Sequence, residues 1–171
     1  MSPAATGTRV RAATHEDLPA IVAAVGDLLT ELGSRPPSTA QMLETAQALL
    51  EDPRSGVLLL AEADAAGQEA QPRARDGERV VGVLSASYQL ALHVPGRYVL
   101  IQDLWVRSSQ RGRAVGRELL SALFELAREQ GMARAEVGLP RDAFADIRAT
   151  EGFYVRNGFE HLGARMRRIF P

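Results

Sequence analysis

Hydrophobic residues in this chain switch between a helical and a strand period, and each switch marks an element. From Leu18 the apolar positions Ile21, Val22, Val25, Leu28, Leu29 and Leu32 keep helical spacing. Thr14-x-x-Asp17 resembles a capping box with Asp in place of the usual Glu, so a helix is predicted from there to about Leu32. The run Gly33-Ser34-Arg35-Pro36-Pro37 breaks it, and Ser38-x-x-Gln41 restarts a second helix that stops near Pro53. Val10–Ala13 is a candidate opening strand. Gly56–Ala61 reads as a buried strand with Val80–Ala86 as its hairpin partner, and Tyr98–Val106 follows after the turn Pro95-Gly96. Ala114–Gln130 is the strongest helix, with Val115, Leu119, Leu123 and Leu126 on one face and Gly131 as its stop. Ala135–Leu139 is a short strand, Ile147–Asn157 a helix, and Ala164–Phe170 a last strand. Residues 64–79, polar and rich in Gly, Ala and Arg, are expected to form a long mobile loop. Interleaved helices and strands without repeats predict a mixed α/β (α+β) class, with one sheet and helices on its faces.

At 171 residues the chain fits one domain, with a core expected over about 8–170. It has no cysteine, which removes disulfides and a cysteine nucleophile and suits a cytoplasmic location. It also has no lysine, so a Gly-Lys-Ser/Thr phosphate loop and a lysine Schiff base are excluded. Three scattered histidines make a histidine-rich metal site unexpected, and no metal is assigned. The first residues carry no export-signal pattern, and no apolar run approaches the ~20 residues of a membrane span, so no membrane partner is expected. The charge is asymmetric: residues 1–106 hold 8 arginines against 13 acids, residues 107–171 hold 12 against 8. The C-terminal excess fits an anionic ligand there.

That excess concentrates in Arg107-Ser108-Ser109-Gln110-Arg111-Gly112-Arg113-Ala114-Val115-Gly116-Arg117, which joins the strand ending at Val106 to the strongest helix. A strand leading through a small-residue turn into a helix leaves backbone N–H groups unpaired at the positive end of the helix dipole. Diphosphate is the ligand such a turn suits, with arginines as bidentate partners. The pattern is not the dinucleotide fingerprint Gly-x-Gly-x-x-Gly, because Ala114 stands in the middle and the third small residue falls early.

Val106-x-x-x-x-Arg111-Gly112-x-Ala114-x-Gly116 resembles the acyl-CoA pyrophosphate signature of the GNAT superfamily of N-acyltransferases, Arg/Gln-x-x-Gly-x-Gly/Ala, with Ala114 in place of the first Gly. Gly152-Phe153-Tyr154-Val155-Arg156-Asn157-Gly158-Phe159 is similar to that family's Phe-Tyr-x-x-x-Gly-Phe segment. The two occur in the family's order and cover, with the surrounding elements, nearly the whole chain. The resemblance implies a mixed, mostly antiparallel central sheet with a splayed, bulged middle strand. It implies acetyl-CoA as co-substrate, held by Arg111, Gly112, Arg113, Ala114, Val115, Gly116 and Arg117. Main-chain groups near Leu104, Trp105 and Val106 would take the pantetheine arm and thioester carbonyl. Tyr154 would stand close to the CoA sulfur as proton donor and cofactor contact.

The general base is where the chain departs. Related small-molecule enzymes carry Glu where Gln102 stands, and Gln cannot accept a proton. Either a water chain or Asp103 would then serve, or the amine would arrive already neutral; strand alternation puts Asp103 on the opposite face from Gln102 unless a bulge re-aims it. Tyr88 and Trp105 are candidates for an acceptor pocket or for core packing. The implied activity is direct transfer of acetyl to a primary amine of a small molecule. Alternatives are a weakly active acyl-CoA sensor and an acetyltransferase of protein or peptide amines. A homodimer is compatible with this reading. Nucleic acid is not an expected partner, since a pI of 6.3 and 5% aromatic residues give neither the field nor the stacking surface.

Overall fold

In the computed structural model the described residues are 8–63, 79–163 and 167–168. Strands β1 (Thr8–Ala12), β2 (Gly56–Ala63), β3 (Val80–Leu90), β4 (Arg97–Val106) and β5 (Ala135–Val137) form one sheet in sequence order. β1 to β4 pair antiparallel, and β5 runs parallel to β4. Among the described residues four α-helices accompany them: α1 (Leu18–Glu31), α2 (Thr39–Glu51), α3 (Val115–Glu129) and α4 (Ile147–Arg156). The parallel β4–β5 pair requires a crossover, and α3 is that crossover. The mixed sheet expected from the sequence is therefore present. The expected strand 164–170 and the loop 64–79 lie, but for residues 79 and 167–168, outside the described residues.

Local rules place the helix starts. The Thr14 N–H donates to Asp17 Oδ2 at 2.7 Å, and a 3₁₀ turn over His15–Asp17 leads into α1. The Ser38 N–H donates to Gln41 Oε1 at 3.0 Å while the Gln41 N–H donates back to Ser38 Oγ at 3.3 Å, a reciprocal capping box.

Alternation along β2, β3 and β4 then loads both sheet faces with apolar side chains. One face carries Leu59, Leu84, Ala86, Val99 and Ile101 against Val115, Leu119, Leu120 and Leu123 of α3 and Tyr154 of α4. The other carries Leu58, Leu60, Val83 and Trp105 against Leu18, Ile21 and Ala24 of α1 and Ala46 of α2. Each fully buried leucine contributes about 1.5–3 kcal/mol of transfer free energy, so both helix layers are anchored by this alternation. Gly82 sets how close α3 comes: a Cβ there would meet Val115 Cγ1 at 2.8 Å and Leu119 Cδ1 at 2.9 Å. The absent side chain thus seats the start of α3 directly on β3.

Candidate active site

Pairing of β4 with β5 covers only Val99↔Ala135, Leu100↔Glu136 and Ile101↔Val137. Beyond Ile101, β4 runs on to Val106 with β3 as its one strand partner among the described residues, and the sheet opens along that edge. The β3–β4 register also slips there: Ser85 faces Asp103 and Ala86 faces Ile101, which leaves Gln102 as the extra residue of a bulge. The splay and the bulge expected of this strand start at the same place.

The bulge decides where Asp103 points. Asp103 Oδ2 accepts a hydrogen bond from Ser85 Oγ at 2.5 Å, and Gln102 Nε2 donates to Ser87 Oγ at 2.8 Å. Ser85 and Ser87 stand two residues apart on β3 and so share a face. Gln102 and Asp103, though consecutive, therefore both project on the α1/α2 face. Regular alternation, which would separate them, fails here because the bulge adds one residue. Burial pushes the Asp103 carboxyl above its ordinary pKa, and the Ser85 hydroxyl partly opposes that by stabilising the carboxylate.

Tyr154 sits on the other face, buried in the α3/α4 core with its ring edge-on to Phe153 at 5.2 Å and to Phe159 at 5.3 Å. Burial first, and the Asp103 charge second, push its phenol up to about 12. The two candidate proton carriers thus flank β4 from opposite faces, close enough for one to feel the other's charge.

The turn after β4 has the geometry to hold an anion. A 3₁₀ turn over Ser108–Gln110 leads to Gly112 at φ +78° and Ala114 at φ +68°, and α3 starts at Val115 with no side chain capping it. The first-turn N–H groups of Val115, Gly116 and Arg117 have no acceptor four residues back, so they are available to phosphate oxygens. Ala114 is the one non-glycine with positive φ among the described residues, which explains why glycine is usual there.

The arginines divide. Arg107 is built into the fold: its guanidinium donates to Val80 O at 2.8 Å and lies over the Trp105 ring. Arg111 donates to Val106 O at 3.1 Å and pairs with Glu31, the last residue of α1, at 2.6 Å. Arg113 and Arg117 are exposed beside the turn. Gly116 has a packing role as well: a Cβ there would meet the Phe153 ring at 3.1 Å, so α3 and α4 close on each other through this position. Between the end of α1 and the loop after β5 lies a cleft of about 510 Å³, bounded by Glu31, Arg111, Arg141, Phe144 and Asp146. An opened strand edge, a free helix start and exposed arginines fit the pantetheine, diphosphate and phosphate groups of an acyl-CoA.

Of the residues singled out in the sequence, Asp103, Leu104, Trp105, Val106 and the turn from Arg111 to Arg117 lie along the open edge and its continuation. Trp105 packs in the α1/α2 core, and Tyr88, half-buried, packs against the α3 core. Sequence reading missed Ser85, Ser87 and Glu31. The alternation Ser85, Ser87, Gln89 was the available signal for the two serines.

The profile of the acetyltransferase (GNAT) family matches residues 28–159. Among solved structures, an acetyltransferase from Trypanosoma brucei is 21% identical with a TM-score of 0.67, over 96% of this chain and 100% of that one. Aminoglycoside N-acetyltransferase AAC(6')-Iy in complex with CoA is 14% identical with a TM-score of 0.74, over 99% of both chains. Glucosamine-6-phosphate N-acetyltransferase from Arabidopsis thaliana is 14% identical with a TM-score of 0.70, over 96% of this chain and 99% of that one. At these identities the likeness is one of fold. No curated protein matches the sequence. The family profile runs through β4, the β4–α3 turn and α4 together, and on that match this chain belongs to the GNAT family of acetyltransferases.

Proposed function

We propose that the chain transfers the acetyl group of acetyl-CoA directly to the primary amine of a small molecule, with Asp103 as proton acceptor and Tyr154 as proton donor. The observation that carries this reading is the bulge at Gln102, which turns the half-buried Asp103 carboxyl onto the α1/α2 face at the stretch of β4 whose edge β5 leaves open. Structural relatives named for aminoglycoside and glucosamine-6-phosphate acetylation support a small-molecule acceptor.

Acetyl-CoA supplies an activated acyl thioester. The turn from Arg111 to Arg117 binds its diphosphate, and the free edge of β4 near Leu104, Trp105 and Val106 orients the thioester carbonyl. An amine reacts only when neutral, so its proton must leave. Asp103, raised by burial, is a stronger base than an exposed aspartate and accepts it. Tyr154 keeps its proton at neutral pH. Full transfer from a phenol near 12 to a thiolate near ~8.5 is uphill by about 5 kcal/mol. Part of that rise comes from the Asp103 charge, so protonation of Asp103 makes Tyr154 a better donor as the thiolate departs.

A thiol-release assay with acetyl-CoA across an amine panel tests the proposal. Asp103→Asn should lower kcat/KM by about 10²–10⁴ and Tyr154→Phe by about 10², with acetyl-CoA affinity little changed in either. Wild-type turnover in Asp103→Asn would remove the proton-acceptor role. Silence of the wild type toward every amine, with acetyl-CoA bound, would favour a binding module.

A further inference from the structure

The α1/α2 face of the sheet is covered for only part of its area. Over Leu58, Leu60, Val83 and Trp105 it is dry core. Past Ser85 the same face becomes mostly polar: Ser85, Ser87 and Gln89 from β3 pair with Asp103, Leu100 and Tyr98 from β4, and the extra residue Gln102 reaches Ser87. Gln102 is exposed and Ser87, Gln89 and Tyr98 are half-buried, so the surface opens to solvent at its Gln102 end and buries Asp103's carboxyl at the other.

Its hydrogen bonding is incomplete in a specific way. Gln89 Nε2 and Gln102 Nε2 both donate to Ser87 Oγ, at 2.9 and 2.8 Å. Two amides converging on one hydroxyl fix three side chains as a rigid unit. Each amide keeps its carbonyl oxygen and a second N–H, and Ser87 keeps its own proton to donate. These are neutral donors and acceptors in alternation. Among the described residues strand pairing brings two carboxyls to this floor: Asp103 at its buried end, and Glu136 of β5 beside Leu100, which is buried and already paired with Arg134 at 2.9 Å.

Any amine that gives its proton to Asp103 must lie on this face, so the floor meets the rest of the acceptor. We infer that Gln89, Ser87 and Gln102 form an acceptor-binding floor that selects a monoamine on an uncharged, hydroxyl-rich skeleton over an apolar amine or a polycation. Hydroxyls match groups that both donate and accept, and an apolar skeleton would displace water from both amides and leave them unpaired. Among the described residues a second ammonium would find Asp103 taken by the amine and Glu136 already paired with Arg134. This inference rests on the placement of the amine by the proposed transfer.

Glucosamine, cyclohexylamine (the same ring size without hydroxyls) and 1,4-diaminobutane are suitable probes. In the CoA-bound protein the side-chain amide NMR signals of Gln89 and Gln102 should shift on titration with glucosamine, and little with 1,4-diaminobutane. In turnover, glucosamine should be preferred to cyclohexylamine. Gln102→Ala should reduce that preference about tenfold, mainly through KM, as expected for one or two lost neutral hydrogen bonds. Ser87→Asp, whose carboxylate can accept from both amides, should move the preference toward 1,4-diaminobutane. Glucosamine turnover without any amide shift, or an unaltered preference in folded Gln102→Ala, would overturn the floor. Amide shifts in a protein that acetylates none of the three would uphold the floor and overturn the transferase reading. Neither shifts nor turnover would overturn both.

Discussion

Asp103 holds a carboxyl where charge is penalised, and one hydroxyl moderates the penalty. Ser85, buried on β3, donates to Asp103 Oδ2 at 2.5 Å. That bond stabilises the ionised form and lowers a pKa that burial has raised. In Ser85→Ala the opposing contribution is lost and the Asp103 pKa rises further. A base must be deprotonated to act, so the acid limb of the kcat/KM profile should move to higher pH, with the alkaline plateau less affected. A profile superimposable on wild type would mean that Ser85 does not govern Asp103 ionisation. The sign for stability is the opposite of the usual carboxylate case. A raised folded-state pKa means that stability is fully present below the unfolded value and falls as pH rises through the folded one, so the ionised Asp103 is a cost carried at neutral pH.

Among the elements, the β4–α3 turn stores strain where the ligand is expected. Ala114 stands at φ +68° directly before α3, in a region that costs a residue with a Cβ about 1–2 kcal/mol. Glycine removes that cost but adds about 0.4–1 kcal/mol of unfolded-state entropy. Ala114→Gly should therefore stabilise the protein by up to about 1 kcal/mol, raising Tm by a few degrees. Calorimetry on the two proteins measures it, and a lower Tm in the variant would show that the left-handed turn is not strained in solution. The turn cannot relax by shifting α3, because Gly82 and Gly116 already bring that helix into contact with β3 and with Phe153.

Across the whole molecule, an ion cluster ties the first strand to the sheet. Arg11 on β1 pairs with Asp17, the last residue of the 3₁₀ turn, and with Glu62 on β2, each at 2.7 Å. The Arg11 hydrogen bonds, with help from Thr14, lower the Asp17 carboxyl to about 2. A depressed pKa contributes stability above the unfolded value near ~3.9, and that stability is lost as pH falls toward about 2. Both partners keep some solvent contact, so the contribution is discounted to about 1 kcal/mol. Urea midpoints at pH 7, 4 and 2.5 should fall more steeply between the last two in wild type than in Asp17→Asn. Parallel falls would remove Asp17 from the acid response.

Periodicity, caps and two short motifs carried most of the architecture. Helical spacing from Leu18, the Ser38/Gln41 box and the run from Val115 are local, and local rules placed α1, α2 and α3 within a residue or two. The strand following Val80 was legible to Ala86 but extends to Leu90, because Ser87 and Gln89 pair with Leu100 and Tyr98 of β4 and Ser87 accepts from Gln102, a pairing the sequence does not reveal. The candidate turn was readable because a phosphate cradle needs small residues in consecutive order, which is a one-dimensional signal. The facing of Asp103 was not. One extra residue in β4 sets it, and a bulge is a property of two strands in register, so only pairing with β3 could decide that Gln102 and Asp103 share a face. The same holds for Arg111 and Glu31, eighty positions apart, whose contact exists because the turn after β4 reaches the last residue of α1.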